Sequence, residues 1–281
     1  MALGEVRIPA SGLIMEQRRS VFEELPTAEK EAAKKILIQA TDRQITAVNS
    51  GRFQKYAESI NSHEYFETYL QDPHFLNIYQ LAQQEALVIE SDEQFIQYFK
   101  GAMFQDLTYL ILSSLDGKII LPEQDVFEIV KALNPGLPVA RFPFDGRGIE
   151  HRYIPDGLVV NATGKQPKIT NILEYSLSQS KPRSGNQRHG FHCLSSALGD
   201  MASQPTFVNV CPVPDNNLIF EKPGVNKLLM PFRVGEFIDD FLYNQVYFGN
   251  IDGEKTLADL RNERKTQLSS SESSLSAGKF F

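Results

Sequence analysis

Asp156 and Glu174 are the two side chains best placed to share chemistry. Asp156 follows Pro155 within a run of strand-forming residues, His151 to Val160, and Glu174 stands between Leu173 and Tyr175 in the next such run, 18 residues on. If the two runs pair as neighbouring strands, their carboxylates converge. Converging carboxylates repel, and the repulsion is relieved by a raised pKa on one of them or by a divalent cation between them. Mg²⁺ suits such hard oxygen donors and keeps several of its own waters for chemistry.

Other reactive residues gather just after Glu174. Lys181, Arg183, Arg188, His189 and His192 surround Gly185 in a segment whose cations suit contacts to phosphates, and a merely solvated loop has the same composition. His189, His192 and Cys193 crowd three ligands into five positions, with Cys211 further on, which matches no common zinc spacing. Gly157 and Gly164-Lys165 stand too far apart for a phosphate-binding loop, and Gln166 occupies the place where Ser or Thr must hold Mg²⁺. The sequence contains no Gly-x-Ser-x-Gly elbow and no Gly-x-Gly-x-x-Gly turn after a strand, so serine-hydrolase and dinucleotide chemistries lack support.

The elements that must carry these residues follow from periodicity. From Glu16 to about Leu87 apolar residues recur at three- and four-residue spacing, predicting a helical N-terminal unit. Asp92 is a suitable N-cap for a long helix bearing Phe95, Phe99, Met103, Phe104, Leu107, Leu110 and Ile111, stopped at Asp116-Gly117, and a shorter helix is expected over Glu123–Leu133. After Asn134-Pro135-Gly136 the period changes to alternation. Val139–Phe144, His151–Val160 and Ile169–Leu177 predict three consecutive antiparallel strands with turns at 145–148 and near Gly164. A helix over Gly190–Met201, strands at Thr206–Val210 and Lys227–Phe232, and a helix over Val234–Phe248 complete an α+β pattern. The aromatics of that last helix, Phe237, Phe241, Tyr247 and Phe248, read first as core, with a base-stacking platform or a protein interface as the other reading.

Pro155-Asp156 followed by Glu174-Tyr175-Ser176 resembles the motif of the PD-(D/E)xK nuclease superfamily, over roughly residues 100–213. The resemblance implies a restriction-endonuclease-like core of helix, three-stranded meander, helix and strand, with Asp156 and Glu174 as ligands of Mg²⁺ or Mn²⁺. The preceding helix in that family contributes an acid or glutamine after a Gly-x-x-aromatic approach, and Gly101-Ala102-Met103-Phe104-Gln105-Asp106 stands at that place. Gln105 as a catalytic residue, or Asp106 as a metal ligand, is what it implies here. The family's lysine position is occupied by Ser176, a neutral hydroxyl that cannot supply the positive charge that orients a metal-bound water. Lys181 is the expected substitute, with Lys168, Lys165 and Lys100 as the other lysines in range, and Arg183, Arg188 and His189 are the expected substrate contacts. The implied activity is phosphodiester hydrolysis of DNA or RNA. The alternative is a nuclease-like scaffold that lost catalysis and binds a protein or nucleic-acid partner.

The chain has 281 residues, and Lys+Arg 28 against Asp+Glu 35 leaves a net charge of −7, which disfavours a uniformly basic nucleic-acid clamp. Two cysteines are too few for a secreted disulfide framework, and no run of 18 apolar residues exists, so a cytoplasmic protein without a membrane span is expected. The expected organisation is a mostly helical unit over 1–91, an α/β nuclease-like core over 92–248 and a polar, Ser-rich, partly disordered tail over 249–281.

Overall fold

A computed structural model describes residues 27–60, 62, 64–115, 119–133, 141–144, 149–152, 154–177, 191, 194–213, 227–233, 236–251, 253 and 255–277. Contacts divide the chain into two interleaved units, Met1–Arg52 with Leu115–Glu174 and Ser180–Asn209, and Phe53–Ser114 with Tyr175–Gln179 and Val210–Phe281. The expected boundaries at 91/92 and 248/249 are therefore not where the chain divides.

In the first unit, helix α1 (Thr27–Asn49) buries Ala33, Leu37, Ala40, Thr41 and Gln44, one stripe at helical spacing. The Thr41 hydroxyl donates to Leu37 O at 2.7 Å, so its burial leaves no unmet donor. Strand β1 (Ile119–Pro122) ends in proline, and helix α6 begins at the next residue (Glu123–Leu133; α2 to α5 belong to the second unit). Glu123 and Asp125 in its first turn and Lys131 in its last complement the helix dipole, and Val126, Ile129, Val130 and Leu133 form its buried face. Arg43 of α1 reaches Asp125 of α6 at 2.7 Å.

Among the described residues, strands β2 (Arg141–Phe144) and β3 (Ile149–Arg152) pair with each other in a two-stranded antiparallel ribbon, and β4 (Gly157–Asn161) and β5 (Lys168–Tyr175) enter the main sheet. There the order is β1-β4-β5-β6, where β6 is Ala202–Val213, and β4 is antiparallel to both β1 and β5. A bulge sets the core of β5. Val159 pairs with Asn171 and Val160 with Ile169, so Thr170 is an extra residue on β5. Ile169 and Ile172 lie three apart and would face opposite sides of a regular strand; the bulge lets both join the core with Leu158, Val160 and Leu121. Helices α1 and α6 and the helical stretch 194–198, through Leu194, Ala197 and Leu198, pack into the same core. Each large aliphatic side chain buried there contributes about 1.5–3 kcal/mol.

The α+β class agrees with the expectation, but the sheet is assembled differently. Its first strand is β1, four residues too few to show alternation, while the expected strand Val139–Phe144 is part of the β2–β3 ribbon. The expected strand His151–Val160 is two strands, broken before Pro155, whose ring has no amide hydrogen to donate.

The second unit contains α2 (Gln54–Ser59), α3 (Tyr65–Leu70), α4 (Pro73–Val88), α5 (Asp92–Ser114), the end of β6 beside β7 (Lys227–Arg233), a π-helix (Glu236–Tyr247) and α7 (Leu257–Ala277). Asp72 caps α4 by accepting from His74 N at 2.9 Å, with Pro73 in the first turn where its missing amide costs nothing. Aromatic rings fill the interior: Phe66 stacks on Phe241 at 4.4 Å, Phe104 meets Phe237 edge-on at 5.9 Å, and Tyr69 meets Phe75 at 5.2 Å. Such pairs contribute about 0.5–1.5 kcal/mol each beyond burial. The π-helix buries Phe237, Phe241, Leu242 and Val246, steps of four and five residues that match its wide turn, and Phe248 N to Tyr243 O at 3.1 Å spans five residues. A Cβ on Gly249 would lie 1.8 Å from Gln245 O, so the chain leaves this helix through a position only glycine can hold.

The stretch expected as a disordered tail carries α7. Its anchor is Arg261, 1% exposed, whose guanidinium donates to Ala86 O and Glu90 O at 2.9 Å, to Ile89 O, and to Asp92 Oδ1 at 2.6 and 2.9 Å. Lys265 reaches the other Asp92 oxygen, and the Phe95 ring lies 5.1 Å from the guanidinium. The Ser-rich composition hid a single deeply engaged cation. Burial alone would push the Asp92 carboxyl up; hydrogen bonds from Lys265 and Arg261 outweigh it and hold the group below its ordinary value.

Arg261→Ala is expected to lower the unfolding free energy by about 3–5 kcal/mol, read from urea denaturation, because Asp92 and three carbonyls lose their partner together. A depressed carboxyl stabilises fully above its unfolded value of about 4 and ceases to do so as pH falls through the lower folded value. Stability should therefore drop on acidification below about pH 4, and Asp92→Asn should flatten that drop.

Candidate functional site

The β4–β5 pairing positions the carboxylate pair. Gly157 is in register with Leu173, and the Asp156 amide, one residue before β4, donates to Leu173 O at 3.1 Å. Asp156 thereby lies beside the Leu173-Glu174 segment of the neighbouring strand. Pro155 ahead of it and Gly157 behind it are both buried, while Asp156 and Glu174 are half-buried. Glu174 follows Ile172 by two residues, so strand alternation sends it to the side of the sheet that Ile172 occupies, and its Oε1 is shielded from solvent. Like charges on adjacent strands are destabilising unless a cation lies between them.

The donor set is chemically suited to Mg²⁺, which takes one or two protein carboxylates and completes its octahedron with water or phosphate oxygens. Among the described residues no three His, Cys, Asp or Glu side chains gather as a metal-binding group, so a closed protein cage of the structural-zinc kind is not present there. Ser176 directly follows β5, and its amide donates to Val210 O at 2.9 Å.

The helix residues have a different setting. Gln105 and Asp106 lie on α5 in the second unit, and both oxygens of Asp106 are engaged there. Oδ2 accepts from the fully buried Tyr69 hydroxyl at 2.8 Å, and Oδ1 is 3.1 Å from His74 Nδ1. Burial, then the neighbouring Asp106 charge, pushes the Tyr69 phenol well above its ordinary range. Asp72 continues the network: its Oδ2 meets Lys55 Nζ at 2.6 Å, and hydrogen bonds from Lys55 and the His74 amide outweigh burial and hold its carboxyl low. A metal on Asp106 would have to compete with Tyr69 and His74. Sequence reasoning picked out Asp106 and missed His74 and Tyr69, which lie 32 and 37 residues away; the Asp72-Pro73-His74 helix start was the only local sign.

Lys181, Arg183, Arg188 and His189, and also His192 and Cys193, lie outside the described residues. Cys211 is buried and not disulfide-bonded. Of the other lysines, Lys168 donates to Asp200 O and Lys165 is exposed. Lys100 is 9% exposed overall, its ammonium 5.3 Å from the centre of the Tyr243 ring. A cation–π contact of this kind contributes about 0.5–1 kcal/mol where the ammonium keeps access to water.

Comparison with protein-family models, with curated proteins and with solved structures finds no match to the chain. Among the described residues no helix is long and apolar enough to cross a membrane.

Asp106→Ala should lower stability by about 1–3 kcal/mol in urea denaturation, because it leaves the buried Tyr69 hydroxyl without its acceptor, whereas Tyr69→Phe, which removes the donor instead, should cost less.

Proposed function

We propose that the protein is a PD-(D/E)xK-like, Mg²⁺-dependent phosphodiester hydrolase whose metal is held by Asp156 and Glu174. The observation that carries the reading is the β4–β5 register, which seats Asp156 beside Leu173-Glu174 with a buried proline and glycine on either side. A strand, β1, and then β4, β5, a helical stretch and β6 follow in the order that the family's meander, helix and strand would take. A bound Mg²⁺ would supply an activated water and offset the charge that grows on the phosphate.

The chain's own residues set the terms of that chemistry. Glu174, with one oxygen shielded, offers a carboxylate with a reduced hydration shell to displace, and Asp156 is held by its own amide hydrogen bond. Asp106 is left out of the ligand set because Tyr69 and His74 occupy its oxygens. Ser176 can donate or accept a hydrogen bond but brings no charge, so a cation from elsewhere, Lys181 by sequence distance, has to orient the nucleophile. Arg183, Arg188 and His189 are the proposed phosphate contacts.

A second reading is favoured by the same Ser176 and by the net charge of −7: a nuclease-like scaffold that binds a partner without cleaving it. Calorimetric titration of Mn²⁺ followed by cleavage assays on single- and double-stranded DNA and RNA separates the two. The hydrolase reading predicts metal binding that disappears in Asp156→Ala and Mg²⁺-dependent cleavage lost in the same variant. It also predicts that Ser176→Lys raises cleavage about tenfold or more by returning a cation to the strand. Metal binding without cleavage of any of the four substrates, in both the wild type and Ser176→Lys, would favour the scaffold.

A further inference from the structure

We propose that Arg43 binds a substrate phosphodiester beside the Asp156–Glu174 pair and so returns to that site a positive charge that Ser176 does not bring. The inference rests on the hydrolase reading and adds to it a residue of α1, far from the motif in sequence. One end of the sheet connects the two places. Pro122, the last residue of β1, is in register with Gly157, and Gly157 with Leu173, so Glu123, Asp156 and Glu174, each one residue beyond these, stand at the same end of three neighbouring strands. Helix α6 starts at Glu123, and Asp125 in its first turn accepts from Arg43 Nη2 at 2.7 Å. Strands lie about 4.8 Å apart and a helix rises about 1.5 Å per residue, which puts the guanidinium on the order of 10 Å from Asp156, about three nucleotide rises along a strand. A phosphate next to the one at the metal is therefore the ligand that Arg43 suits.

The bond to Asp125 positions the guanidinium without using it up. Asp125 is 18% exposed and Arg43 62%, and among the described residues this is the one polar contact of the Arg43 side chain, so most of its five N–H donors face solvent. Asp125 does not require it, since a carboxylate in the first turn of a helix is already favoured by the helix dipole, and an exposed ion pair adds little to stability. A planar guanidinium steadied on one edge and open on the others suits a phosphate, which takes two parallel N–H bonds from it. Glu123, Asp125, Asp156 and Glu174 gather at this end of the unit, so a phosphodiester approaching them needs positive charge from the protein as well as from the metal.

The test uses the full chain and two measurements: calorimetric Mn²⁺ binding, and binding of single- and double-stranded DNA and RNA oligonucleotides with Ca²⁺, which takes the same oxygen ligands, in place of Mg²⁺. The variants are Arg43→Ala, Arg43→Lys and, as a control of equal charge change, Lys35→Ala, an exposed position about two turns away on α1. Circular dichroism checks that each is folded, and Arg43→Gln is the substitute where Arg43→Ala does not fold. Arg43→Ala should bind Mn²⁺ as the wild type does, because Arg43 is not a ligand, while affinity for the oligonucleotide that the wild type binds falls at least tenfold. The slope of log affinity against log salt should fall by about 0.9 on a duplex or 0.7 on a single strand, the loss of one phosphate contact. Arg43→Lys should keep the slope and only part of the affinity, and Lys35→Ala should change neither. No loss in Arg43→Ala, an equal loss in Lys35→Ala, or a wild type that binds Mn²⁺ and none of the four oligonucleotides overturns the proposal and leaves the metal site standing. A wild type that binds no Mn²⁺ fails the hydrolase reading itself, and the proposal with it.

Discussion

The register between β4 and β5 is the constraint on which the first unit depends. Pairing Gly157 with Leu173 and Val160 with Ile169 requires one extra residue on β5, and Thr170 is that residue. Without it a strand of period two would turn either Ile169 or Ile172 away from the helices, and the core shared with Leu158, Val160 and Leu121 would lose a large side chain. The same register brings Asp156 alongside Leu173-Glu174. Core packing and the carboxylate pair are thus two consequences of one alignment, so a slip of one residue would disturb both.

The second unit is organised by a different device. Its interior is aromatic, and polar groups add to how its helices meet: Arg261 against the α4–α5 connection, and Asp106 between Tyr69 and His74. Buried polar groups discriminate between packings because a misplaced partner leaves an unmet donor or acceptor, a penalty that stacked rings do not impose.

What could be read in the sequence was what neighbours in the chain decide. The long period of α5, the amphipathic face of α6 and the alternation of β4 and β5 depend on residues a few positions apart, and the adjacency of Asp156 and Glu174 follows from a local hairpin. β1 escaped because four residues, Ile119–Pro122, carry too little alternation to be seen, and their pairing with β4 lies across α6 and the ribbon. The helix α7 escaped because its composition is polar, while its anchor Arg261 meets partners 169 to 175 residues earlier. The engagement of Asp106 was equally hidden: a carboxylate on a helix looks the same in sequence whether it faces a metal or a tyrosine.

The central claim is that Asp156 and Glu174 share a divalent cation. Mn²⁺ added in small increments to ¹⁵N-labelled protein tests it directly, since a bound paramagnetic ion broadens nearby amide signals. The account predicts selective loss of the Asp156, Gly157, Glu174 and Tyr175 amides at substoichiometric Mn²⁺, abolished by Asp156→Asn. Broadening centred elsewhere, or none at these amides with the protein folded and phosphate present, would contradict it.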